Sequence, residues 1–147
     1  MIFRRAKDSP ASKTQAIADT GYLVALARFD DEHHEWAVGL SGELQLPLLT
    51  CEAVLAETAF LLQSSAHVLT MLQRHALRIA LDCSSHVDQL HDLAVRYADR
   101  KPDLADLCLI RMSELYPRHR IVTVDEDFRV YRRNKRESIP LICPPKK

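Results

Sequence analysis

The chain has 147 residues, of which 47% are hydrophobic and 27% are charged, and only three residues are glycine. This length suits one compact domain, and the hydrophobic share excludes a chain that is disordered over most of its length. The scarcity of glycine argues against a glycine-rich nucleotide-binding loop. The 20 basic and 20 acidic residues balance, so a nucleic-acid-binding role would require charges that are separated locally.

The cysteines and the apolar runs indicate the cellular compartment in which the protein is expected. No two of the four cysteines form a CxxC pair, which disfavours a zinc ribbon, and two of them lie in apolar helical patterns typical of reduced, buried thiols. They are Cys51, Cys83, Cys108 and Cys143. The N-terminus carries early charges rather than a signal-peptide pattern, and no apolar run approaches the length of a membrane span. We therefore expect a cytoplasmic protein that does not associate with membranes.

Apolar runs and helical spacings alternate along the chain after a polar beginning. Residues 1–14 are predicted to form a flexible N-terminal tail before a single domain over residues 15–147. The predicted strands are 16–19, 47–50, 78–82, 121–124 and 139–142. The predicted helices are 21–29, 33–44, 52–63, 67–75, 84–100 and 103–115. Ser84 is predicted to cap the fifth helix, and Pro102 with Asp103 to open the sixth.

The alternation of strands and helices predicts an α/β fold. We expect one domain with a central, mostly parallel sheet of about four to five strands, flanked by helices. In such folds, ligands bind beyond the carboxyl ends of the strands. Asp19 ends one predicted strand and Asp125 directly follows another. A functional site is therefore expected at that edge of the sheet.

The first acids near this edge also have ordinary structural explanations. Asp19 precedes an apolar helix and could serve only as its N-cap. Glu57 lies three or four residues from Val54, Phe60 and Leu61 on a predicted helix, which places it close to the apolar face, where a carboxylate needs a partner. It could equally be a glutamate at the edge of that face, in contact with water.

Two further pairs of acids occur near predicted helix and strand ends. Asp103 could be an N-cap, whereas Asp106 lies among apolar residues and is harder to explain structurally. Asp125 and Asp127 follow a β-branched strand, and a run of acids in such a place is usually a solvated loop. If these carboxylates meet above one sheet edge, they repel one another unless cations neutralise them.

The donor types point to a hard metal ion. Oxygen ligands without accompanying cysteine or histidine favour Mg²⁺ or Mn²⁺, which suit phosphodiester cleavage because they generate hydroxide from water and stabilise the entering and leaving oxygens. His33 and His34 lie within an acidic stretch, but adjacent helix residues do not share a face, so residues 30–35 are interpreted as a solvated loop and helix start. No serine–histidine–aspartate elbow or catalytic-cysteine context occurs.

Four short motifs in this order resemble those of PIN-domain nucleases, over a span from about residue 16 to residue 143. They are Asp19-Thr20-Gly21 after a strand, Val54-Leu55-Ala56-Glu57, Asp103-Leu104-Ala105-Asp106, and Ile121-Val122-Thr123-Val124-Asp125-Glu126-Asp127-Phe128. Residues 30–37 resemble the loop and second helix that usually follow the first motif. Leu107 departs from the family pattern, which commonly has a small residue after the third acid, so Asp103 stays an alternative to Asp106.

This resemblance implies a metal-dependent endoribonuclease with Mg²⁺ or Mn²⁺ as its cofactor and RNA as its substrate. The catalytic and metal-binding quartet would be Asp19, Glu57, Asp106 and Asp125. The auxiliary acidic and hydroxyl groups would be Asp103, Asp127, Thr20 and Thr123. Small single-domain members of this length are mostly VapC-type toxins of VapBC toxin–antitoxin pairs, so the resemblance also implies a homodimer and a VapB-like antitoxin that covers the acidic pocket.

A basic run after the fourth motif would hold the phosphate backbone of RNA, although an ordinary surface helix is the alternative. It comprises Arg129, Arg132, Arg133, Lys135 and Arg136. Two other functions are weighed against the nuclease. A non-catalytic RNA-binding or protein-interaction module of the same fold is disfavoured by the complete quartet. A different Mg²⁺ enzyme, such as a phosphatase or a response-regulator receiver, is disfavoured because the rest of its pattern is missing.

Overall fold

The computed structural model describes residues 13–146, which form a five-stranded parallel sheet, a two-stranded hairpin and six α-helices. The strands are β1 (Ala16–Ala18), β2 (Leu48–Thr50), β3 (Leu77–Ile79), β4 (Arg120–Val122), β5 (Arg132–Arg133), β6 (Glu137–Ser138) and β7 (Leu141–Ile142). The helices are α1 (Thr20–Ala27), α2 (His34–Ser41), α3 (Glu52–Leu62), α4 (Ser65–Gln73), α5 (Val87–Arg96) and α6 (Leu104–Leu115). The sheet order is β3-β2-β1-β4-β7, and the predicted α/β fold is confirmed.

β1 and β4 lie side by side in the middle of the sheet, with Ile17 paired to Ile121 and Ala18 paired to Val122. All four side chains are completely buried. This burial explains their unbroken apolar sequence, because a strand in a parallel sheet is covered on both faces. Since the two strands run in the same direction, the residues that follow them emerge next to each other at one edge of the sheet.

Helix α6 packs against both central strands through a continuous apolar face. Cys108, Leu109, Ile110 and Met112 on this helix are completely buried. Burying a large aliphatic side chain contributes roughly 2 kcal/mol, so several such residues hold the helix firmly to the sheet. The first turn of α6 is thereby fixed at the carboxyl edge of β1 and β4.

The predicted helix 84–100 is wrong in its start and in its continuity. The side chain of Asp82 accepts a hydrogen bond from the amide of Ser84 at 3.1 Å, so Asp82 rather than Ser84 is the cap. A 3₁₀ turn at Cys83–His86 precedes α5, and another at Ala98–Arg100 follows it. Local hydrogen bonding by an aspartate therefore competes with the regular helix at this point.

The basic run 129–136 contains a hairpin, not the surface helix that was the alternative prediction. β5 pairs antiparallel with β6. Arg133 is paired with Glu137, so three residues form the turn, and two of them, Asn134 and Lys135, are left-handed with φ values of 49° and 69°. The flanking residues show no apolar–polar alternation, which explains why the sequence did not predict these two strands.

Most of the predicted N-terminal tail, residues 1–12, lies outside the described residues. Thr14 is paired with the segment before β2: its amide donates to the carbonyl of Glu43 at 3.0 Å, and its carbonyl accepts from the amide of Gln45 at 2.8 Å. The paired part of the described chain therefore begins at Thr14. Among residues 13–146, no helix has both the length and the apolar character needed to cross a bilayer.

The cysteines carry free thiols, and Cys51 and Cys108 are buried, as predicted for thiols in apolar helical patterns. The Sγ atoms of Cys83 and Cys108 lie 3.6 Å apart. Burial raises the pKa of the Cys143 thiol, which lies near the end of the described chain. These features are typical of structural thiols rather than of an activated nucleophile.

Candidate active site

Asp19 lies at the carboxyl end of β1 and at the N-terminus of α1, so both elements position its side chain. Oδ1 accepts a hydrogen bond from the amide of Thr20 at 2.7 Å, which makes Asp19 the N-cap of α1. Oδ2 accepts a hydrogen bond from the hydroxyl of Thr123 at 2.6 Å. The capping role considered from the sequence is confirmed. The second oxygen is hydrogen-bonded to Thr123, the residue that follows β4.

The carboxylate of Asp19 is unusually difficult to ionise. Burial raises its pKa from 3.8 to about 6, against the lowering effect of the hydrogen bonds from Thr123 and Thr20. The negative charges of Asp125 and Glu57 raise the pKa further. A residue that is only 7% exposed thus has two other carboxylates close enough to affect its charge. A cation at this position would reverse the balance by favouring the ionised form.

Thr123 connects two of the predicted catalytic acids. Its hydroxyl, which donates to Asp19, also accepts a hydrogen bond from the amide of Asp125 at 2.9 Å. The side chain of Thr123 is completely buried, so both bonds are shielded from water. Asp125 in turn accepts a hydrogen bond from the amide of Asp127 at 2.8 Å and caps the 3₁₀ turn Glu126–Arg129.

Glu57 is joined to the same network through Thr20, whose hydroxyl donates to Glu57 Oε1 at 2.8 Å. Of the two interpretations of Glu57, a glutamate at the edge of an apolar face is confirmed, because Val54 is completely buried whereas Phe60 and Leu61 are 79% and 42% exposed. The buried side of α3 consists of Val54, Leu55 and Thr58. Glu57 is an exposed residue that is oriented by Thr20.

Asp103 and Asp106 form a reciprocal capping box at the start of α6. The amide of Asp106 donates to Asp103 Oδ1 at 2.9 Å, and the amide of Asp103 donates to Asp106 Oδ2 at 3.2 Å. Burial raises the pKa of Asp106 to about 7, and the charges of Asp103, Asp19 and Asp125 raise it as well. Both residues of the pair therefore have a capping role, while Asp106 is the more buried acid.

One cleft of about 520 Å³ brings these groups together at the carboxyl edge of the sheet. Its lining includes the four acids of the predicted quartet, Asp19, Glu57, Asp106 and Asp125. Asp103, Thr20 and Gly21 also line it. The acids come from four separate parts of the chain, and their charges influence one another as described above. The convergence expected from the sequence is therefore present in the structure.

A comparison with protein-family models matches residues 16–134 to the PIN domain. The chain belongs to the PIN-domain family. PIN domains are generally metal-dependent ribonucleases, so the α/β sheet and its acidic edge belong to a nuclease-type fold. Among curated proteins, no significant sequence match was found.

Asp127 of the PIN domain differs from the other predicted acids, because it is absent from the lining of the cleft. Its Oδ1 lies 3.5 Å from Nη1 of Arg100 in a half-exposed ion pair. Its amide, not its carboxylate, contacts Asp125. The structure therefore gives Asp127 a role in shaping the turn after β4, and it does not support the predicted role as an auxiliary acid.

The predicted solvated loop and helix start at residues 30–35 is confirmed, since α2 begins at His34, and three residues of this loop also line the cleft: Asp31, Glu32 and His33. Asp31 accepts a hydrogen bond from the amide of His33 at 2.8 Å, which turns the loop at this point. His34 contacts the carbonyl of Ala25 through Nδ1 at 2.7 Å. The dense mixture of acids and histidines directly after α1 was the signal available in the sequence, but the path of the loop could not be derived from it.

The basic residues of the PIN domain have unequal roles. Arg129 pairs with Glu126 through Nε and Oε1 at 2.7 Å, on the exposed surface. Arg132 donates from Nη1 to the carbonyls of Arg129 and Tyr131 at 2.8 and 3.1 Å. Both side chains are thus partly used within their own segment, which leaves fewer donors for a ligand.

Arg133 does not fit the predicted RNA-binding role. It is only 9% exposed, and its Nη1 donates to the carbonyls of Ser113 and Pro117 at 3.0 and 3.1 Å. These bonds tie the hairpin to the end of α6, so Arg133 is removed from the set of expected phosphate contacts. Lys135 and Arg136 are exposed at the hairpin turn and remain in that set.

The donors of the cleft are suited to Mg²⁺ or Mn²⁺ in type, because carboxylate oxygens are the hard ligands that these ions prefer. Within residues 13–146, no three acids, histidines or cysteines are gathered tightly enough to bind one ion in their present arrangement. Mg²⁺ usually retains several waters and is held by one or two carboxylates together with substrate phosphates. A cleft with spaced carboxylates fits an ion that is bound partly through water.

Proposed function

We propose that this PIN domain is a metal-dependent endoribonuclease that hydrolyses phosphodiester bonds in RNA. The observation that carries the proposal is the meeting of four carboxylates, from four parts of the chain, along one cleft. Burial raises the pKa of Asp19 to about 6 and that of Asp106 to about 7, and the neighbouring negative charges add to both shifts. A divalent cation relieves the repulsion, and phosphodiester hydrolysis is a reaction that uses such a cation.

The residues of the quartet divide into two pairs in this proposal. Asp19 and Asp125 hold the principal Mg²⁺ or Mn²⁺ ion, directly or through water, and Glu57 and Asp106 complete its surroundings. When bound, the ion supplies a water of lowered pKa and stabilises charge on the entering and leaving oxygens. Glu57 and Asp106, which line the same cleft, would also polarise the attacking water.

The hydroxyl groups act as positioning residues. Thr123 fixes Oδ2 of Asp19 and the amide before Asp125, so it sets the spacing between the two principal ligands. Thr20 fixes Oδ1 of Asp19 through its amide and Oε1 of Glu57 through its hydroxyl. Because these bonds hold the carboxylates in a set orientation, less reorganisation is needed when an ion binds.

The test is cleavage of total cellular RNA by purified protein that is free of any inhibitor, with Mg²⁺, with Mn²⁺ and with EDTA. Asp19→Asn keeps the shape of the side chain and removes its charge, and we expect it to abolish cleavage. Asp92→Asn is the matched control, since Asp92 is an exposed acid on α5, away from the cleft. Equal cleavage by the wild type and the Asp19→Asn variant would disprove the assignment.

We further propose that the protein is the VapC-type toxin of a toxin–antitoxin pair and acts in the cytoplasm as a homodimer. The resemblance to small single-domain PIN toxins supports the pairing, and the free thiols are consistent with a reducing compartment. Phe60 and Leu61 also support it: they are exposed apolar residues next to Glu57, and Leu61 lines the acidic cleft. A VapB-like antitoxin that covered the cleft would bury them.

Expression in a bacterial host tests the toxin proposal. We expect growth arrest with the wild type and normal growth with Asp19→Asn at equal protein levels. Light scattering after gel filtration tests the homodimer separately. Normal growth with an active, soluble wild-type nuclease would contradict the toxin assignment and leave the nuclease assignment intact.

The alternative function, a non-catalytic RNA-binding or protein-interaction module, makes a different prediction for metal binding. Such a module has no need for a cation in the cleft. Calorimetric titration with Mn²⁺ separates the two functions. A nuclease with an untested RNA target binds Mn²⁺ in an Asp19-dependent way, and a non-catalytic module does not.

A further inference from the structure

A second cavity, of about 460 Å³, adjoins the acidic cleft. The two cavities share three lining residues, Glu32, His33 and Val124, so they form one continuous groove. The remaining lining is Trp36, Glu126, Pro144, Pro145 and Lys146. We call this second cavity the Trp36 groove. Its volume lies within the range of roughly 300–1,000 Å³ that small-ligand sites occupy.

Trp36 is the only tryptophan in the chain and is held in a fixed orientation. Its ring is nearly perpendicular to that of Tyr22, with centroids 5.8 Å apart, and to that of His33, at 6.4 Å. Tyr22 is completely buried, and its hydroxyl lies 3.3 Å from the carbonyl of Ala37. Because a core residue supports the half-buried indole, the exposed part of Trp36 is a rigid aromatic surface.

The chemistry of the groove favours a flat aromatic ligand. The indole and the two prolines provide apolar surface, and Lys146 provides a positive charge that can contact a phosphate. Of the two acids of the groove, Glu126 is paired with Arg129 at 2.7 Å, and Glu32 is exposed to water. An unpaired nucleobase attached to a sugar–phosphate chain has these properties, and aromatic side chains commonly bind single-stranded RNA by stacking on its bases.

We infer that the Trp36 groove binds one unpaired base of a single-stranded RNA by stacking on Trp36, while an adjoining phosphate lies at the acidic cleft. The inference rests on the proposed ribonuclease function, because that function places the RNA backbone in the cleft. It adds a binding subsite for a base that must be unpaired, since the bases of a duplex are already stacked and paired. Stacking contributes little sequence preference, because every base has an aromatic face.

The fluorescence of Trp36 reports on the groove directly. We would titrate the wild-type protein in EDTA, where metal-dependent cleavage is prevented, with a six-nucleotide RNA, the same RNA in a duplex, and a version without bases. We expect the single strand to change the Trp36 emission, and the duplex and the baseless strand to bind at least tenfold more weakly. Equal binding of the baseless strand, or an unchanged emission with the single strand, would overturn the inference.

Variants supply the second readout, with a fluorescently labelled RNA. Trp36→Ala is expected to weaken binding of the single strand by roughly tenfold or more, while Trp36→Phe retains most of the affinity. Phe29→Ala is the control, because Phe29 is an aromatic residue that is 86% exposed and lines neither cavity. Thermal unfolding of each variant excludes a general loss of folding.

The outcomes separate the inference from the proposed function. Metal-dependent cleavage with unchanged RNA binding in Trp36→Ala would leave the nuclease intact, overturn the inference and indicate a protein segment as the occupant of the groove. Base-dependent quenching of Trp36 in a protein that neither cleaves RNA nor binds Mn²⁺ in an Asp19-dependent way would support the groove and contradict the nuclease.

Discussion

Thr123 is the residue on which the local geometry of the cleft depends most directly. One buried hydroxyl donates to Asp19 and accepts from the amide of Asp125, so it sets the distance between two acids that are far apart in sequence. Such a residue has little freedom to vary chemically, because only a hydroxyl can both donate and accept at this position.

We predict that Thr123→Val, which keeps the shape and removes the hydroxyl, lowers the free energy of unfolding by about 1–3 kcal/mol, because a buried carboxylate oxygen and an amide lose their partner. The pKa of Asp19 should rise above 6, since the bond from Thr123 lowers it. Urea denaturation measures the loss of stability, and RNA cleavage measures the effect on the site around Asp19. Thr50→Val is the control: its buried hydroxyl contacts the carbonyl of Ala18, so it should cost stability without the same loss of cleavage.

The raised pKa of Asp19 also predicts how stability depends on pH. Because its pKa is about 6 when folded and near 3.8 when unfolded, the folded protein binds more protons, and stability falls as pH rises through this window. For Asp19 alone, the decrease between pH 5 and pH 8 is about 1–1.5 kcal/mol.

This prediction is checked by urea denaturation in EDTA at the two pH values. The Asp19→Asn variant should show a smaller decrease than the wild type, and the difference between the two proteins isolates the contribution of Asp19. Mn²⁺ should raise the stability of the wild type more at pH 8 than at pH 5, because the ion binds the ionised carboxylate. Parallel pH profiles for the two proteins would contradict the assignment.

At the scale of elements, the junction between β1 and α1 requires a glycine. A Cβ atom at Gly21 would clash with Cγ2 of Val124, the residue before Asp125. The first turn of α1 and the chain after β4 can therefore approach each other closely, and this approach brings Asp19 near Asp125. The Asp-Thr-Gly motif combines an acid, a hydroxyl that orients Glu57, and a glycine that leaves space for Val124 and Asp125 after β4.

We predict that Gly21→Ala reduces stability by about 1–3 kcal/mol and weakens cleavage, because Val124 and the adjoining Asp125 must move. Gly39→Ala is the matched control. Gly39 lies within α2 and has nothing within 4 Å of its added Cβ, so alanine should stabilise the helix by up to about 1 kcal/mol. Thermal unfolding and cleavage assays of both variants make the comparison, and a fully active Gly21→Ala protein would be inconsistent with the clash.

The elements that the sequence predicted are those whose burial creates a pattern. β1 and β4 are completely buried and therefore apolar throughout, and α6 begins where Asp103 caps it. The sequence pattern does not predict the structure where a local hydrogen bond or a contact with a distant part of the chain determines it. Asp82 forms a turn that shortens the expected helix, and Phe60 and Leu61 of α3 are exposed rather than buried.

The same limit applies to the candidate site. Acids that follow strands could be predicted to meet, because parallel strands share one carboxyl edge. His33 could not be placed, since its position depends on the path of a loop. Arg133 could not be distinguished from its basic neighbours, since its burial depends on a hairpin that has no sequence pattern.

At the scale of the whole molecule, the numbers of acidic and basic residues are equal, but the two kinds of charge gather in different places. We therefore expect RNA binding by the basic run to depend on salt. Lys135→Gln together with Arg136→Gln should weaken RNA binding and lower the slope of log K against log salt by about 0.7 per lost phosphate contact. Binding measured over a range of salt concentrations tests this. Arg74→Gln with Arg118→Gln removes the same charge from exposed positions outside the basic run and should leave the slope unchanged.

The hydrogen bond between Thr123 and Asp19 spans 104 residues, and β4 is itself paired with β7 near residue 142. A chain that is still being synthesised has Asp19 and Glu57 long before it has Thr123 and Asp125. The acidic cleft can therefore form only after nearly the whole domain has left the ribosome. Under the proposed function, the domain therefore cannot cleave its own messenger RNA or ribosome until its translation is almost finished.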